Sequence, residues 1–258
     1  MKKTSIQEIR KLIEQIQDEH DPFLIQLASD SRKGVQDLLE KWHHNKKQEH
    51  ADYEYYRQME AYEINARKQG FTFIAGIDEV GRGPLAGPVV SAAVILNENS
   101  YIRGLNDSKK LTEKKREELY TQIMDAAVAV GIGVISAEEI DEINIYEATK
   151  KSMLAAVQNL SVQPDYLLID AMKINSIYPE TSIVKGDAKS VSIAAASVIA
   201  KVTRDRIMKD YHNKYPEYGF HLHMGYGTKL HLAALNEHGP CSIHRNTFAP
   251  IKTLSDLR

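Results

Sequence analysis

An apolar run over residues 71–77 stops at two adjacent carboxylates, Asp78 and Glu79, and passes into Val80-Gly81-Arg82-Gly83-Pro84-Leu85-Ala86-Gly87-Pro88. A short apolar run bounded by acids and by Gly/Pro punctuation reads as a buried strand feeding a turn. Acids at a strand end suit a hard cation such as Mg²⁺, which takes oxygen ligands. Gly81-Arg82-Gly83 lets main chain approach a ligand closely while one guanidinium points at it. A metal beside exposed main chain and an arginine suggests phosphate chemistry. Taken alone, the acid pair is equally a solvated surface feature, and the glycines and prolines equally a plain turn.

Residues 71–258 have the texture of an α/β domain. Apolar runs predict strands at 71–78, 89–96, 128–135, 166–170 and 182–185. Thr112 is placed to cap a helix over 113–127, Ser136 and Glu139 form a capping box, and Asn144 is placed to cap 145–160. The longest helix is expected over 190–215, with Ala194, Ala195, Ala196 and Ser197 small enough to lie tightly on a sheet and Pro216 limiting its end. Strands first, then alternating helix and strand, imply a mixed sheet with helices on both faces.

Residues 1–70 differ. They carry charges of both signs and the sole tryptophan, Trp42. Ser5 with Glu8 makes a capping box, and Ile6, Ile9, Ile13 and Ile16 form a stripe at helical spacing. Asp21-Pro22 ends that helix and suits the start of another, and a third is expected over 50–68 with Gly70 past its end. This predicts a small all-helical extension. Arg32, Lys33, Lys46 and Lys47 read as solvated helix face, with a nucleic-acid contact as the alternative.

Net charge is −2, so any nucleic-acid surface must be local. The single cysteine, Cys241, excludes an intramolecular disulfide. No stretch approaches the ~20 apolar residues that span a bilayer, and Gln7, Glu8 and Arg10 interrupt any signal-peptide core. A soluble cytoplasmic protein is expected.

Further acids are expected at strand ends: Asp170 closes Tyr166-Leu167-Leu168-Ile169, and Asp187 follows Ser182-Ile183-Val184-Lys185-Gly186. If they converge with Asp78 and Glu79, four carboxylates repel unless cations neutralise them. Two divalent ions can clamp the attacking and leaving oxygens of a phosphodiester displacement. Asp187 equally suits the start of the long helix. Asn106-Asp107-Ser108-Lys109-Lys110-Leu111-Thr112 is a turn able to hold phosphate or simply to cap a helix. Ser197, Lys201 and Arg204 share a helix face. Tyr226, between Gly225 and Gly227, is open enough to stack on a sugar or base. His221 and His223 lack a convincing zinc spacing, and His231, His238 and His244 read as ordinary hydrogen-bonded residues.

Taken together, these motifs resemble those of bacterial ribonuclease HII over roughly 71–248. The resemblance rests on Gly-Ile-Asp-Glu-Val-Gly-Arg-Gly-Pro-Leu-Ala-Gly-Pro (76–88), Asn-Asp-Ser-Lys-Lys-Leu (106–111) and Leu-Ile-Asp-Ala (168–171). Lys-Gly-Asp-Ala-Lys-Ser (185–190), Ala-Ala-Ser-Val-Ile-Ala-Lys-Val-Thr-Arg-Asp (195–205) and Gly-Tyr-Gly-Thr (225–228) complete it. It implies an RNase H-like fold, cleavage of the RNA strand in RNA–DNA hybrids, incision 5′ to single ribonucleotides in duplex DNA, and a requirement for Mg²⁺ or Mn²⁺. Carried across by motif, Asp78, Glu79, Asp170 and Asp187 are the catalytic metal ligands. Gly81, Arg82 and Gly83 read the ribose 2′-OH, which separates RNA from DNA. Tyr226 stacks on the following sugar, and Lys109, Lys201 and Arg204 contact phosphates. The helical extension is then an aid to substrate binding, and the protein a monomer. Arg82 and the helical 1–70 segment favour this family over ribonuclease HIII. Two other classes are a transposase- or resolvase-like nuclease on the same fold and a non-catalytic hybrid-binding protein.

Overall fold

The structure, a computed structural model, describes residues 4–255. The chain divides into two compact units, Met1–Tyr55 and Tyr56–Arg258. The first contains α1 (Ile6–Ile13), α2 (Pro22–Ala28) and most of α3 (Lys33–Met59). The Ser5–Glu8 capping box is present, Asp21 caps α2 through the Phe23 N–H, and Pro22 opens it. Ile9, Ile13, Leu24, Leu27, Val35, Leu39 and Trp42 form its core. The expected helix over 50–68 is instead the end of α3 followed by α4 (Ala61–Lys68). Residues 35–69 contain neither Gly nor Pro, so nothing interrupts α3 where its dense charges hide any apolar period.

The second unit is built on a five-stranded mixed sheet. Its strands are β1 (Ile74–Val80), β2 (Val89–Leu96), β3 (Ala127–Ile135), β4 (Tyr166–Asp170) and β5 (Glu180–Ile183), in the order β3-β2-β1-β4-β5. β1 pairs antiparallel with β2 and parallel with β4, and β4 pairs parallel with β5. The helices are α5 (Glu113–Ala126), α6 (Ala137–Gln158), α7 (Val191–Lys214), α8 (Phe220–His223), α9 (Lys229–His238) and α10 (Ile251–Ser255). Thr112, Ser136 and Ser190 cap α5, α6 and α7. Asn144 interrupts α6 at φ 67° and restarts it, its side chain accepting from the N–H groups of Tyr146 and Glu147. Glu139 does not close the expected capping box; its carboxylate pairs with Lys151.

Alternation along β1 sets the layers. Ala75 and Ile77 join Ala93, Ile95, Met153, Ala156 and Val157 in the core shared with α6. Gly76 faces the other way, where an added Cβ would collide with the main chain of Ser192 and Ile193 at the start of α7. The small-residue start of α7 thus lies directly on the sheet.

β1 and β5 differ from expectation at both ends, and β3 starts one residue early, at Ala127. β1 starts at Ile74 because the Thr72 and Phe73 N–H groups are taken by the Asp165 carboxylate, at 2.7 and 2.9 Å. It runs on to Val80, so Asp78 and Glu79 lie within the ladder, opposite Ala92 and Ser91, rather than after it. β5 ends at Ile183 because Lys185 is left-handed at φ 57°, and Asp187 sits in a 3₁₀ turn, Gly186–Ala188. Among the described residues no helix is long and apolar enough to cross a membrane.

Candidate active site

The parallel register pairs Ile77 with Ile169, so the next residues along, Asp78 on β1 and Asp170 on β4, finish side by side at one end of the sheet. Asp78 is two residues on from Gly76 and faces α7. It is 4% exposed, its carboxylate accepts the Glu79 N–H at 2.7 Å, and Ser197 of α7 hydrogen-bonds to it as well. Ser197 in turn meets the Ser108 hydroxyl at 2.8 Å, which ties the Asn106–Leu111 turn to the same place. The Asp170 carboxylate accepts the Gly186 N–H at 2.6 Å and so holds the turn that carries Asp187. Asp187 is buried, and Lys109 Nζ lies 3.4 Å from its Oδ2.

Electrostatics mark three of these acids, Asp78, Glu79 and Asp170, and the lysine beside them. Burial first, then the charges of Glu79 and Asp170, push the Asp78 carboxyl well above the usual carboxylate range. Burial also raises Glu79, against the opposing pull of Arg82, whose Nη1 lies 3.3 Å from Glu79 Oε1. Asp170 is raised by burial and by Asp187, opposed by the Gly186 N–H. Burial would lower the Lys109 ammonium, but Asp187, Asp78 and Asp107 outweigh it and hold it up.

These residues fit a divalent ion. The donor set is four carboxylates, and Glu79 Oε2 is buried without a hydrogen-bond partner. Arg82 beside Glu79 and Lys109 beside Asp187 offset part of the cluster's negative charge. Among the described residues no three His, Cys, Asp or Glu side chains are gathered closely enough to hold an ion.

The loop after β1 lies beside Tyr226. A Cβ built at Gly83 would stand 3.8 Å from Tyr226 Cε1, and Leu85 N–H donates to Gly225 O at 2.9 Å. Tyr226 is 45% exposed and the Arg82 side chain 44% exposed, so both are open to a ligand. Lys201 Nζ pairs with Asp205 at 2.7 Å on its own helix. Arg204 corrects the sequence reading: it is fully buried, and its guanidinium donates to Pro88 O, Met224 O and Ala86 O at 2.9, 2.9 and 3.1 Å. No phosphate can reach it. A helix face at 3–4 residue spacing is visible in sequence, but which part of that face meets solvent is a tertiary fact.

The sequence reading passes over Arg245, which is also fully buried and reaches the loop after β1. It also passes over Glu63 of α4, whose Oε1 accepts the Ser190 and Ser192 hydroxyls and the Ser192 N–H at the start of α7. Neither lies in a motif. His231 and His244 are buried and hydrogen-bonded, as the ordinary reading of them expects.

Family models and curated relatives agree on one family. The family model described as ribonuclease HII matches residues 75–251, and that of the ribonuclease HII N-terminal domain matches residues 5–67. Ribonuclease HII proteins from Bacillus mycoides (strain KBAB4) and Bacillus thuringiensis (strain Al Hakam) are each 58% identical over 254 residues, covering 98% of this chain and 99% of theirs. The crystal structure of ribonuclease H2 from Pyrococcus horikoshii OT3 superposes with a TM-score of 0.63 at 27% identity, covering 72% of this chain and 98% of that one. Ribonuclease HII of Archaeoglobus fulgidus, solved in complex with PCNA, gives 0.61 at 28% identity, over 69% and 95%. With an RNase H-like sheet and both family models matched in order, the chain belongs to the ribonuclease HII family, ribonuclease H enzymes that act on RNA–DNA hybrids.

Proposed function

We propose that this enzyme incises duplex DNA on the 5′ side of a single embedded ribonucleotide, as well as cutting the RNA strand of hybrids, and leaves 3′-hydroxyl and 5′-phosphate ends. The observation that carries the reading is the meeting of Asp78, Glu79, Asp170 and Asp187 with a glycine-flanked arginine loop that lies against Tyr226. Two divalent ions, Mg²⁺ or Mn²⁺, held by the four carboxylates would activate the attacking water and neutralise charge at the leaving 3′-oxygen. Glu79 offers its free Oε2, and Asp78 and Asp170 present oxygens from adjacent strands. Lys109, 79% exposed at its side chain, stands beside Asp187 where it can meet a phosphate, and Lys201 does so more weakly because Asp205 competes for it.

Discrimination then belongs to the loop. Gly81, Arg82 and Gly83 read the 2′-OH, and the Tyr226 ring packs on the sugar that follows. Only a nucleotide with a 2′-OH completes the contacts that hold the scissile phosphate over the carboxylates. Residues 1–70 assist binding to nucleic acid, and the enzyme works as a monomer in the cytoplasm. The test is cleavage of a DNA duplex carrying one ribonucleotide, with Mn²⁺ or Mg²⁺, against an all-DNA control. Incision 5′ to the ribonucleotide alone is expected. Activity restricted to long hybrids would overturn the junction-reading part.

A further inference from the structure

Two guanidiniums, from Arg204 on α7 and from Arg245 near the chain's end, are buried behind the loop after β1. All their hydrogen bonds go to main-chain carbonyls. Arg245 donates to Gly81 O at 2.5 Å, Arg82 O at 2.9 Å and Gly87 O at 2.8 and 3.0 Å. Arg204 donates to Ala86 O, Pro88 O and Met224 O. Between them they hold the carbonyls of Gly81, Arg82, Ala86, Gly87 and Pro88, and Arg204 also joins this loop to the segment that carries Tyr226.

A buried cation is costly unless it is fully hydrogen-bonded, and here the donors of both groups are directed at carbonyls. The guanidinium fork is rigid and planar, which makes it a template for carbonyl positions in a way that an ammonium is not. Burial pushes the Arg204 and Arg245 guanidiniums down to about 10 and about 9, and both stay charged near neutrality. The consequence for the outer face is geometric. In a planar trans peptide the carbonyl and the next N–H point in opposite directions. Turning the Gly81 and Arg82 carbonyls inward turns the Arg82 and Gly83 N–H groups the opposite way, and Gly83 itself lies against the Tyr226 ring. Gly81 makes this possible: at φ +94° it accepts a conformation that other residues resist, and an added Cβ would collide with Arg204 Nε and stand 2.7 Å from Pro88 O.

We infer that Arg204 and Arg245 are positioning residues for ribose discrimination, holding the inner carbonyls of the 81–88 loop so that its outer N–H groups and Tyr226 keep one spacing. The inference rests on the loop's role proposed above. Neither arginine touches substrate; each acts through main chain.

The test compares the wild-type enzyme with Arg245→Lys, Arg204→Lys and Arg245→Ala. Cleavage of a duplex with one ribonucleotide and of a long RNA–DNA hybrid is measured, with kcat and KM separated and folding checked by circular dichroism. Loss of the fork by lysine should lower the single-ribonucleotide to long-hybrid ratio of kcat/KM about ten- to a hundredfold, the scale of an ångström-sized misplacement. Low millimolar guanidinium should restore part of that ratio in Arg245→Ala. Folded lysine variants with the wild-type ratio would overturn the proposal. So would equal losses on both substrates that guanidinium leaves unchanged, since that is what a merely structural arginine would give. A wild-type enzyme with no junction cleavage would instead remove the loop's proposed role, and this inference with it.

Discussion

Burial and two neighbouring carboxylates act on Asp78 in the same direction and push its carboxyl well above the usual carboxylate range. Replacement by asparagine keeps the shape and removes the charge. Asp78→Asn is expected to lower kcat by about 10³-fold or more, the scale of losing a directly acting group, while hybrid binding measured by fluorescence anisotropy stays within a few-fold. Retained metal-dependent turnover would refute the assignment. Gly81 gives a second residue-scale expectation, because its positive φ and the closeness of Arg204 act together. Gly81→Ala should cost about 2–4 kcal/mol of stability by urea denaturation; an unchanged midpoint would show that the loop can move away from Arg204. The acids were legible in the sequence because strand-end carboxylates stand out against apolar runs. Arg204 was misread and Arg245 passed over for one reason: an arginine's type does not say whether its fork meets solvent or a carbonyl.

At the scale of elements, α9 and the segment after it are joined by histidines whose protons are placed by their partners. A carbonyl only accepts, so His231 Nδ1 donates to Tyr226 O at 3.0 Å. Its Nε2 then accepts from His244 Nε2 at 3.0 Å, and His244 Nδ1 accepts the Cys241 N–H at 2.9 Å. A proton added to either ring would set two N–H groups head to head. Burial accordingly lowers both rings to about 4. Between about 4 and the ordinary 6.5 the unfolded chain binds more protons, so stability is full above 6.5 and falls with pH through that window, by up to about 1.4 kcal/mol per pH unit per ring. The raised carboxyls of Asp78, Glu79 and Asp170 act in the opposite sense. The histidine part is therefore read as a difference: from pH 7 to 5, Tm should fall more steeply in the wild type than in His244→Gln, and parallel curves would exclude the relay. The elements themselves were largely legible. β2 and β4 match their apolar runs to the residue, and Thr112, Ser136 and Asn144 cap where their side chains suggest. α3 was not, because a helix charged on all sides carries no apolar period to detect.

For the whole molecule, the division into units does not follow the change in sequence texture near residue 70. Tyr56 donates to Ser100 O at 3.0 Å, Ala66 packs with Ile74, Leu168, Ile183 and Ile193, and Glu63 holds the start of α7. All belong to the unit Tyr56–Arg258. Removal of residues 1–55 should thus leave a folded enzyme on which the proposed binding role of the extension can be tested by hybrid affinity. Removal of 1–68 should lower Tm sharply by uncovering that core, and equal stability of the two truncations would show the 56–68 contacts to be dispensable. Synthesis, unlike folding, has a fixed direction. Arg82 O waits 163 residues for its partner Arg245. The hydrogen bonds that hold the loop after β1 therefore form later in synthesis than the strand that leads into it.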